Sequence, residues 1–468
     1  MNIWPLRFRQ IGGGRLVFAD DAGGFFGADE SFLGRYAQGI LSQAELAFLE
    51  SNGHAFREEA DLSFTSFAYR WSLRQGRPQS MSYIILIPTL RCNLSCTYCQ
   101  VARADERAVG YDWTSETLRA VVKFLDGLGS ETVKVEFQGG EPLLRLDLLE
   151  EVRAHCRERF DRASFVVCTN LQRLTADHWA FLDAADTSVS TSLDGDAATH
   201  HRQRTQDTAL TNDFFSNLET ALRLLGPGKV SALPTIDIDA PPRPADLVEA
   251  YARYGFRSIY LRPVNYHGFA RKKQGADGAA AWNAYHAAFI DHLVQRNSAQ
   301  DELVEEFYFT HCLRRIFQPG IDGHVDLRNP SPVAGDYIVI DHDGALYPSD
   351  EARMLARVSA VDLSIGHVQG GLDAARVAHL NANALNNCDP DCIHCPYQPF
   401  CGVDIVDDVS RYGRVDVPRH TTWFCSRQTA IFDKAFSMVY SGDPAALHSL
   451  AGWLGITTFP PELAARLP

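Results

Sequence analysis

Strand-like and helix-like runs alternate along the middle of the chain, from about residue 83 to about residue 297. Six short apolar runs are predicted strands: YIILI, VKVEF, SFVVC, TSVSTSL, VSALPTI and SIYLR. Amphipathic helical segments lie between and after them, such as SETLRAVVKFLDGLG and AAAWNAYHAAFIDHLVQ. Because strands that alternate with helices pair in parallel through right-handed crossovers, the pattern predicts an α/β fold with a doubly wound sheet or a barrel. In either fold, ligand-binding groups gather at the C-terminal ends of the strands.

The two ends of the chain have a different pattern. Residues 1–80 are predicted to form a small module, in which RLVFADDAGGFFGA reads as a β-hairpin and ESFLGRYAQGIL and SQAELAFLESNG read as helices. The polar stretch RWSLRQGRPQS is expected to lead into the alternating region, which is assigned to residues 81–325. In residues 326–468 short turns rich in Pro, Asp and Cys replace the alternation. We therefore predict three domains.

Composition narrows the function classes. The 468-residue chain has 46% hydrophobic and 22% charged residues, which is typical of a globular protein. Its net charge of −14 argues against broad nucleic-acid binding, which needs a basic face. The opening MNIWPLRFRQIGGG lacks the apolar core of a signal peptide. No window approaches the roughly 18 uninterrupted apolar residues of a membrane span. We expect a cytoplasmic protein that binds neither nucleic acid nor membrane.

Eleven cysteines are present, and most of them fall into two clusters. Cys92, Cys96 and Cys99 follow the first predicted strand on one short loop. Structural zinc needs four ligands, and no fourth Cys or nearby His completes this set. A [4Fe-4S] cluster accepts three thiolates and leaves one iron open for a substrate or cofactor. The spacing at the end of a strand therefore predicts a cluster with an open iron.

The second cluster lies near the end of the chain and comprises Cys388, Cys392, Cys395, Cys401 and Cys425. Four or more thiols at this spacing suit either zinc or a second iron–sulfur cluster, and spacing alone does not separate the two. In a chain without an export signal, such clusters argue for metal ligation rather than disulfides.

Together with the cysteine loop, several later motifs resemble those of radical S-adenosylmethionine (SAM) enzymes. QGGEP follows strand two, CTN ends strand three, SLDG ends strand four, HHRQR follows it and YLRPVN ends strand six. The resemblance implies a partial (β/α)6 barrel that holds a [4Fe-4S] cluster and SAM. It implies SAM contacts from eight residues: Tyr98 near adenine, Gly139, Gly140 and Pro142 in the glycine-rich motif, Glu141 at the ammonium group, Asn170 at the ribose, Ser192 at the end of strand four, and Arg204 at the carboxylate. His201 stands where the family often has Asp, so its role stays open.

The chemistry that the resemblance implies explains why the first cluster has only three cysteine ligands. SAM occupies the open iron, and one electron from the reduced cluster cleaves it to methionine and a 5′-deoxyadenosyl radical. That radical abstracts a hydrogen from an unactivated C–H bond, while the protein supplies position and excludes solvent.

The second cysteine cluster resembles the SPASM extension of peptide-modifying radical SAM enzymes, which holds auxiliary [4Fe-4S] clusters. Cys392, Cys395, Cys401 and Cys425 match one cluster, and Cys388 is a fifth candidate. Three thiols of the other SPASM cluster are absent, since Ser349 and Ile405 stand at two of their positions. We expect one auxiliary cluster, with zinc as the alternative. Near the lost cluster, Asp350 and Glu351 are either a general base or solvated turn and N-cap charges.

The whole architecture is most similar to the radical SAM maturase B of the His-Xaa-Ser peptide system. This resemblance implies a precursor peptide as substrate, a paired radical SAM protein, and a reductant such as flavodoxin or ferredoxin. The N-terminal module resembles winged-helix elements that bind a leader peptide as an added strand, with an ordinary packing domain as the alternative. We expect a maturase that forms a cross-link or an epimer. Two alternatives are a sulfatase-type maturase that oxidises Ser or Cys and a non-catalytic iron–sulfur partner.

Overall fold

A computed structural model describes residues 1–12, 14–75, 80–265, 267, 278–320 and 332–467. Its strands are β1 Asn2–Ile3, β2 Arg7–Gly12, β3 Arg15–Ala19, β4 Phe25–Ala28, β5 Ala55–Phe56, β6 Tyr83–Leu86, β7 Arg91–Cys92, β8 Ala104–Asp105, β9 Thr132–Phe137, β10 Arg162–Cys168, β11 Thr187–Ser192, β12 Val230–Leu233, β13 Thr235–Ile236, β14 Ser258–Ile259, β15 Arg262–Pro263, β16 Glu305–Glu306, β17 Tyr337–Ile340, β18 Ala345–Tyr347, β19 Gly366–His367 and β20 Gly371–Leu372.

The α-helices are α1 Glu30–Gln38, α2 Gln43–Ser51, α3 Leu62–Arg74, α4 Ser115–Asp126, α5 Leu146–Arg159, α6 Ala176–Leu182, α7 Ala197–His200, α8 Thr208–Leu225, α9 Pro244–Ala252, α10 Ala279–Ala299, α11 Phe307–Phe317, α12 Asp350–Arg357, α13 Ala374–Asn381, α14 Ile405–Tyr412, α15 Trp423–Ser441 and α16 Pro444–Trp453. A π-helical turn over His201–Thr205 extends α7. In the described residues, no helix is long and apolar enough to cross a membrane.

A nine-stranded sheet in the order β12-β11-β10-β9-β6-β17-β18-β19-β20 forms the centre of the fold. The first five of these strands pair in parallel and are neighbours in chain order, as in a barrel, which is one of the two arrangements that the alternating pattern predicts. The side chains of β9 alternate between the two faces of the sheet. Val133, Val135 and Phe137 point to one face and are buried in the hydrophobic core. Lys134 and Glu136 face the opposite side and line the interior cavity. The predicted α/β fold is confirmed.

The fifth and sixth predicted strands are each split in two. Pro234 interrupts the fifth, because proline has no N–H to donate to a sheet, so β12 ends there and β13 pairs with β15 instead. In the sixth, the N–H of Leu261 donates at 3.0 Å to the side-chain carboxylate of Glu306 in β16 rather than to a backbone carbonyl. The pairing of β13 with β15 still carries the order of the partial barrel to its sixth strand.

The sheet also extends beyond its first strand, which the pattern does not predict. β17 pairs in parallel with β6, in the register Tyr337 with Tyr83, and β18, β19 and β20 continue it as an antiparallel meander. The proposed boundary at residue 325 lies outside the described residues. The first strand after it belongs to the same sheet as the barrel.

The N-terminal module contains the predicted hairpin of β3 and β4, extended by β2 into a three-stranded sheet. The predicted helices α1 and α2 follow, and the Ser42 side chain begins α2 with a capping box. Part of the stretch interpreted as a polar link is instead the end of α3. Its polar residues have partners: Arg74 donates to the carbonyls of Ala22 and Arg315 at 2.7 and 2.9 Å, which ties the module to α11.

Candidate active site

The loop that carries the first three cysteines begins directly after β6, at the C-terminal end of the parallel sheet. Its base is fixed by Asp112, which accepts two hydrogen bonds of 2.7 Å from Arg91 and one of 2.6 Å from the Thr89 hydroxyl. Its far side is fixed by the Thr97 N–H, which donates to the carbonyl of Gln203 at 2.8 Å. The loop is therefore held at both ends by other parts of the barrel.

The two glycines after β9 allow this loop to pack against the sheet. A Cβ on Gly139 would lie 2.2 Å from the Thr89 carbonyl oxygen, and one on Gly140 would lie 2.2 Å from that of Arg91. The Gly140 N–H donates to Thr89 at 3.0 Å, and the Glu141 N–H donates to Arg91 at 2.8 Å. Only residues without a side chain permit such an approach of two backbones. The glycines predicted to admit a ligand thus also seat the cysteine loop.

The three thiols lie together in a partly buried environment. Burial raises the pKa of Cys92 to about 12, and it also raises the pKa of Cys96, whose thiol is influenced by the charge of Arg204. Cys99 is close enough to affect both electrostatically. Because burial disfavours the ionised thiolates, they need a nearby positive charge to form, and a cluster of iron ions supplies one. The donor set fits a group that takes three thiolates.

Glu141 and Asn170 form a buried pair behind the cysteine loop. The Glu141 carboxylate accepts the N–H of Asn170 at 2.8 Å and that of Leu143 at 3.2 Å, and burial raises its pKa to about 7. The Asn170 side chain donates to Asn93 at 2.8 Å and approaches the Cys92 sulfur at 3.7 Å. Asn170 lines the interior cavity, while Glu141 lies behind its wall.

Pro142 is buried at the first position of a short 3-10 helix over Pro142–Arg145, where its fixed φ suits a helix start. Glu141 caps this helix through its bond to Leu143. Among the predicted SAM contacts, Pro142 thus has a structural position next to the motif rather than one on the cavity wall.

Tyr98 belongs to a buried chain of hydrogen bonds that the motifs did not reveal. Its hydroxyl donates to Asp194 at 2.8 Å and accepts from Arg204 at 2.6 Å, and Asp194 also accepts the N–H of Thr235 at 3.1 Å. Asp194 has no exposed surface. The signal was available in the SLDG motif, whose Asp closely follows the end of β11. The chain links the cysteine loop to β11 and to β13.

One cavity of about 790 Å³ brings most of the predicted site residues together. Its walls include Cys92, Cys96, Tyr98, Cys99, Gly139, Gly140, Asn170, Ser192, Arg204, Asp350 and Glu351. These residues come from the loop after β6, from the ends of three neighbouring parallel strands, from the π-helical turn after α7, which carries Arg204, and from the start of α12. The C-terminal edge of the sheet therefore borders one partly enclosed chamber with thiols, carboxylates and a guanidinium on its wall.

The two acidic residues of α12 have different surroundings. Asp350 accepts a hydrogen bond of 2.6 Å from Arg353, a fully buried guanidinium, and Ser349 caps the helix. Glu351 accepts from Arg262 at 3.3 Å and also lines a second, smaller cavity of about 170 Å³ next to the first. Both carboxylates thus face the chamber while each also contacts an arginine.

A polar cluster on the floor of the chamber was also missed. The Glu136 carboxylate accepts from the Tyr83 hydroxyl at 2.5 Å, from Gln138 at 2.5 Å and from the Cys168 thiol at 3.2 Å. Tyr83, Glu136 and Cys168 stand singly in three different strands, so only the alternation of side chains along each strand indicates that they face inward, and Gln138 follows directly after β9.

Four of the five C-terminal cysteines surround another cavity, of about 590 Å³. Cys392, Cys395, Cys401 and Cys425 line it, and burial raises the pKa of all four thiols. The Cys401 thiol is affected by the charges of the other three. Cys388 is exposed and lies outside this cavity wall. The cavity wall thus offers four thiols without Cys388, which is the number of ligands that zinc or an iron–sulfur cluster takes.

The N-terminal module forms part of the wall of this cavity. Phe8 and Arg9 of β2 line it, and Arg9 makes a two-point ion pair with Asp433 of α15 at 2.7 and 3.0 Å. The Tyr397 hydroxyl donates to the same Asp433 at 2.7 Å. The module therefore packs directly over the C-terminal thiols.

Comparisons with known proteins agree with this site. Residues 86–237 match the model of the radical SAM superfamily. A GTP 3′,8-cyclase of Edwardsiella ictaluri is 34% identical over 122 residues, which are 25% of this chain and 36% of that enzyme. The matches span less than half of the length of the first curated relatives.

Two solved structures share the fold over most of the chain. Native anSMEcpe with bound AdoMet has a TM-score of 0.60 at 18% identity and covers 79% of this chain and 99% of that one. Streptococcus suis SuiB bound to precursor peptide SuiA has a TM-score of 0.50 at 12% identity, over 88% of this chain and 97% of that one. The match over residues 86–237 includes the cysteine loop, the glycine motif and the parallel strands β9 to β12, so this part of the chain is similar to the radical SAM superfamily.

Proposed function

We propose that this protein is a radical SAM enzyme that modifies a ribosomally made peptide. The observation that carries the proposal is the single chamber of about 790 Å³, in which the three thiols of the loop face the predicted SAM contacts and the carboxylates of α12. Cys92, Cys96 and Cys99 would hold a [4Fe-4S] cluster, and SAM would lie against Asn170 and Arg204. When bound, the two groups supply one-electron cleavage of SAM and hydrogen abstraction from the substrate.

The residues of the chain have separable tasks in this proposal. The glycine motif and Asp112 hold the cysteine loop in register with the sheet. The chain from Asp194 through Tyr98 to Arg204 orients a guanidinium beside the cluster, where it suits a carboxylate ligand. A partly enclosed chamber limits the access of water to a reactive substrate.

Asp350 and Glu351 remain the proposed candidates for removing a proton from the substrate after hydrogen abstraction. The Asp350 carboxylate accepts a hydrogen bond of 2.6 Å from the fully buried Arg353, which holds it against the protein, whereas the contact of Glu351 with Arg262 is longer, at 3.3 Å. Glu351 also borders the small adjoining cavity, which includes Tyr260 and Asp404 and which could receive a neighbouring side chain of the peptide. We therefore favour Glu351 as the base.

A peptide substrate is supported by the neighbours with the same fold, since SuiB was crystallised with precursor peptide SuiA and anSMEcpe with Cp18Cys peptide. We further propose one auxiliary [4Fe-4S] cluster on Cys392, Cys395, Cys401 and Cys425, which would accept the electron released as the product forms. A precursor like that of the His-Xaa-Ser system, a flavodoxin or ferredoxin reductant and a paired radical SAM protein complete the proposal.

The test uses a candidate precursor peptide encoded beside this protein and the reconstituted enzyme with SAM and dithionite. A cross-link removes two hydrogens from the peptide, whereas epimerisation in D₂O replaces one carbon-bound hydrogen by deuterium without other change. Oxidation of a single Ser or Cys to an aldehyde would favour the sulfatase-type alternative. Failure to cleave SAM in the presence of a correctly loaded cluster would contradict catalysis and favour an iron–sulfur partner protein.

A further inference from the structure

The smaller cavity of about 170 Å³, named here the side cavity, includes two positions at which the SPASM resemblance would place cluster cysteines. Ser349 and Ile405 stand at these positions, and both line the cavity. The Ser349 side chain caps α12 by accepting the N–H of Ala352 at 3.2 Å, and Ile405 is buried at the start of α14. Among the described residues, no thiol lines the side cavity. Its lining therefore suits a ligand other than a metal cluster.

The side cavity and the chamber have one wall in common. Tyr260, Arg262, Tyr337, Ser349 and Glu351 line both of them. Glu351, the proposed base, accepts from Arg262 at 3.3 Å on this wall. A peptide whose reacting residue lies in the chamber can therefore place a neighbouring side chain in the side cavity.

A carboxylate and a guanidinium line the side cavity without forming an ion pair with each other. Asp404 caps α14 by accepting the N–H of Asp407 at 2.9 Å. Asp407 pairs with Arg411 at 2.8 Å, whereas no ion pair joins Asp404 to any residue that the structure describes. Burial raises the pKa of Asp404 to about 7, and the charge of Arg427 acts in the opposite direction. Asp404 thus lies in the field of a cation that does not contact it.

Arg427 is the guanidinium on the other part of this lining. It donates to the Tyr308 hydroxyl at 3.1 Å, but its buried Nε has no hydrogen-bond partner within the described part of the chain. A buried donor without an acceptor is costly, and so is a buried carboxylate without a cation or donor. The side cavity therefore favours a ligand that satisfies both Arg427 and Asp404.

The required ligand accepts one hydrogen bond from Arg427 and donates another to Asp404. Three neutral side chains can do both: the imidazole of histidine, the carboxamide of asparagine or glutamine, and the phenol of tyrosine. An aliphatic side chain would leave both groups unpaired. A lysine has no acceptor and would add a positive charge beside Arg427 and Arg411.

The size and the walls of the side cavity favour a planar side chain. A cavity of about 150 Å³ binds benzene, so about 170 Å³ has room for a ring or an amide. The Trp423 ring forms part of the lining, with the guanidinium of Arg411 at 4.1 Å and that of Arg427 at 5.0 Å from its centre. Tyr260 adds a second aromatic ring to the lining.

We infer that the side cavity is a specificity site for one side chain of the peptide substrate, next to the residue that reacts. Its ligand is a planar, neutral side chain that donates to Asp404 and accepts from Arg427. The inference rests on the proposed function for the peptide, but binding in the side cavity requires no SAM cleavage.

The test measures binding of blocked Ala-Xaa-Ala tripeptides to the reconstituted protein with SAM, by titration with saturation-transfer NMR. The central residue is histidine, asparagine or tyrosine in one group, and leucine, lysine or aspartate in the other. At pH 8 the imidazole is neutral. We expect the first group to bind at least roughly tenfold more tightly than the second, because a hydrogen bond to a charged group is worth that factor or more.

Two variants change the preference in opposite directions. Asp404→Asn keeps a residue that caps helices but directs an amide donor into the cavity beside Arg427, so the aspartate peptide should now bind best. Arg427→Met removes the donor and leaves the carboxylate, so the lysine peptide should bind best. Asp416→Asn is the matched control, because Asp416 is exposed outside the cavity and its loss should leave the wild-type order. A residue with a purely structural role would not reverse the order.

SAM cleavage by the same preparations is measured separately, so a failure of the proposed function is distinguishable from a failure of this inference. Equal binding of the leucine peptide would make the side cavity an apolar pocket without polar selection. Absence of binding by all six peptides would mean that it holds water only. An unchanged order in folded variants would show that Asp404 and Arg427 do not contact the ligand, and loss of folding in both would assign the two residues to the fold.

Discussion

Replacement of Gly140 by alanine tests how the glycine motif builds the site. The added Cβ would lie 2.2 Å from the Arg91 carbonyl oxygen and 2.5 Å from that of Leu90, and both atoms belong to the backbone of the cysteine loop. Because no flexible side chain can move aside, the loop must shift away from the sheet. The shift should weaken two hydrogen bonds, Gly140 to Thr89 at 3.0 Å and Glu141 to Arg91 at 2.8 Å.

The size of the effect follows from these contacts. Overpacking costs about 1–3 kcal/mol and each of the two weakened hydrogen bonds about 0.5–1.5 kcal/mol, so we expect a loss of about 2–6 kcal/mol. The loss should be largest in the loop itself, where hydrogen exchange of residues 89–92 reports it directly. The iron bound after anaerobic reconstitution should fall as well, since the thiols move with the loop.

The matched control is Gly129→Ala, because a Cβ there meets nothing within 4 Å and Gly129 has no left-handed conformation. This variant should keep the wild-type iron content, hydrogen exchange and urea midpoint. If Gly140→Ala also keeps all three, the glycines do not seat the loop and the argument from backbone approach is wrong.

Three further predictions concern other parts of the molecule. Asp20→Asn should destabilise the N-terminal module by about 3 kcal/mol at neutral pH, since it breaks a buried pair with His54. Burial raises the pKa of Asp20, but the contacts with His54, Arg70 and the Gly24 N–H together outweigh burial, so this pKa lies below its ordinary value. The difference in urea midpoint between the variant and the wild type should therefore shrink as the pH falls through that pKa. Cys401→Ser should lower the metal bound at the C-terminal site, whereas Cys388→Ser should not, as measured by iron and zinc analysis; equal losses would place Cys388 among the ligands. Asp194→Asn should raise the Kd for SAM more than it lowers the melting temperature, because it disturbs the tyrosine and arginine that face the chamber; an unchanged Kd would assign Asp194 to stability alone.

The sequence predicts the sheet well where each strand has its own periodic signal. The run from Val133 to Phe137 alternates between apolar and polar residues, and β9 forms there. The fifth strand is less predictable, because its apolar run includes Pro234. Proline has no N–H to donate, and whether this ends a strand depends on whether a neighbouring strand lies on that side, which the sequence does not give. β17 escapes prediction because its partner β6 lies more than 250 residues away in the chain.

Some residues of the candidate site are likewise predictable from a local motif, and others are not. The three cysteines of the loop share a local spacing, and that spacing by itself indicates their chemistry. Asp194 and Glu136 have no such spacing, and their importance comes from burial against residues distant in sequence. The exposure of Cys388 is likewise a tertiary property, since its spacing to Cys392 equals that of Cys92 to Cys96. Local motifs therefore identify the predicted cluster ligands, whereas the residues that support them are recognised only from how the chain packs.

Iron and sulfide content, measured together with 5′-deoxyadenosine formation, decides whether the chamber is a radical SAM active site. It compares the anaerobically reconstituted wild type with the variant in which Cys92, Cys96 and Cys99 are all alanine. We predict about eight irons in the wild type and about four in the variant, with loss of 5′-deoxyadenosine only in the variant. A wild type that holds both clusters yet forms no 5′-deoxyadenosine, even with candidate peptide, would contradict the proposal that the chamber is a radical SAM active site.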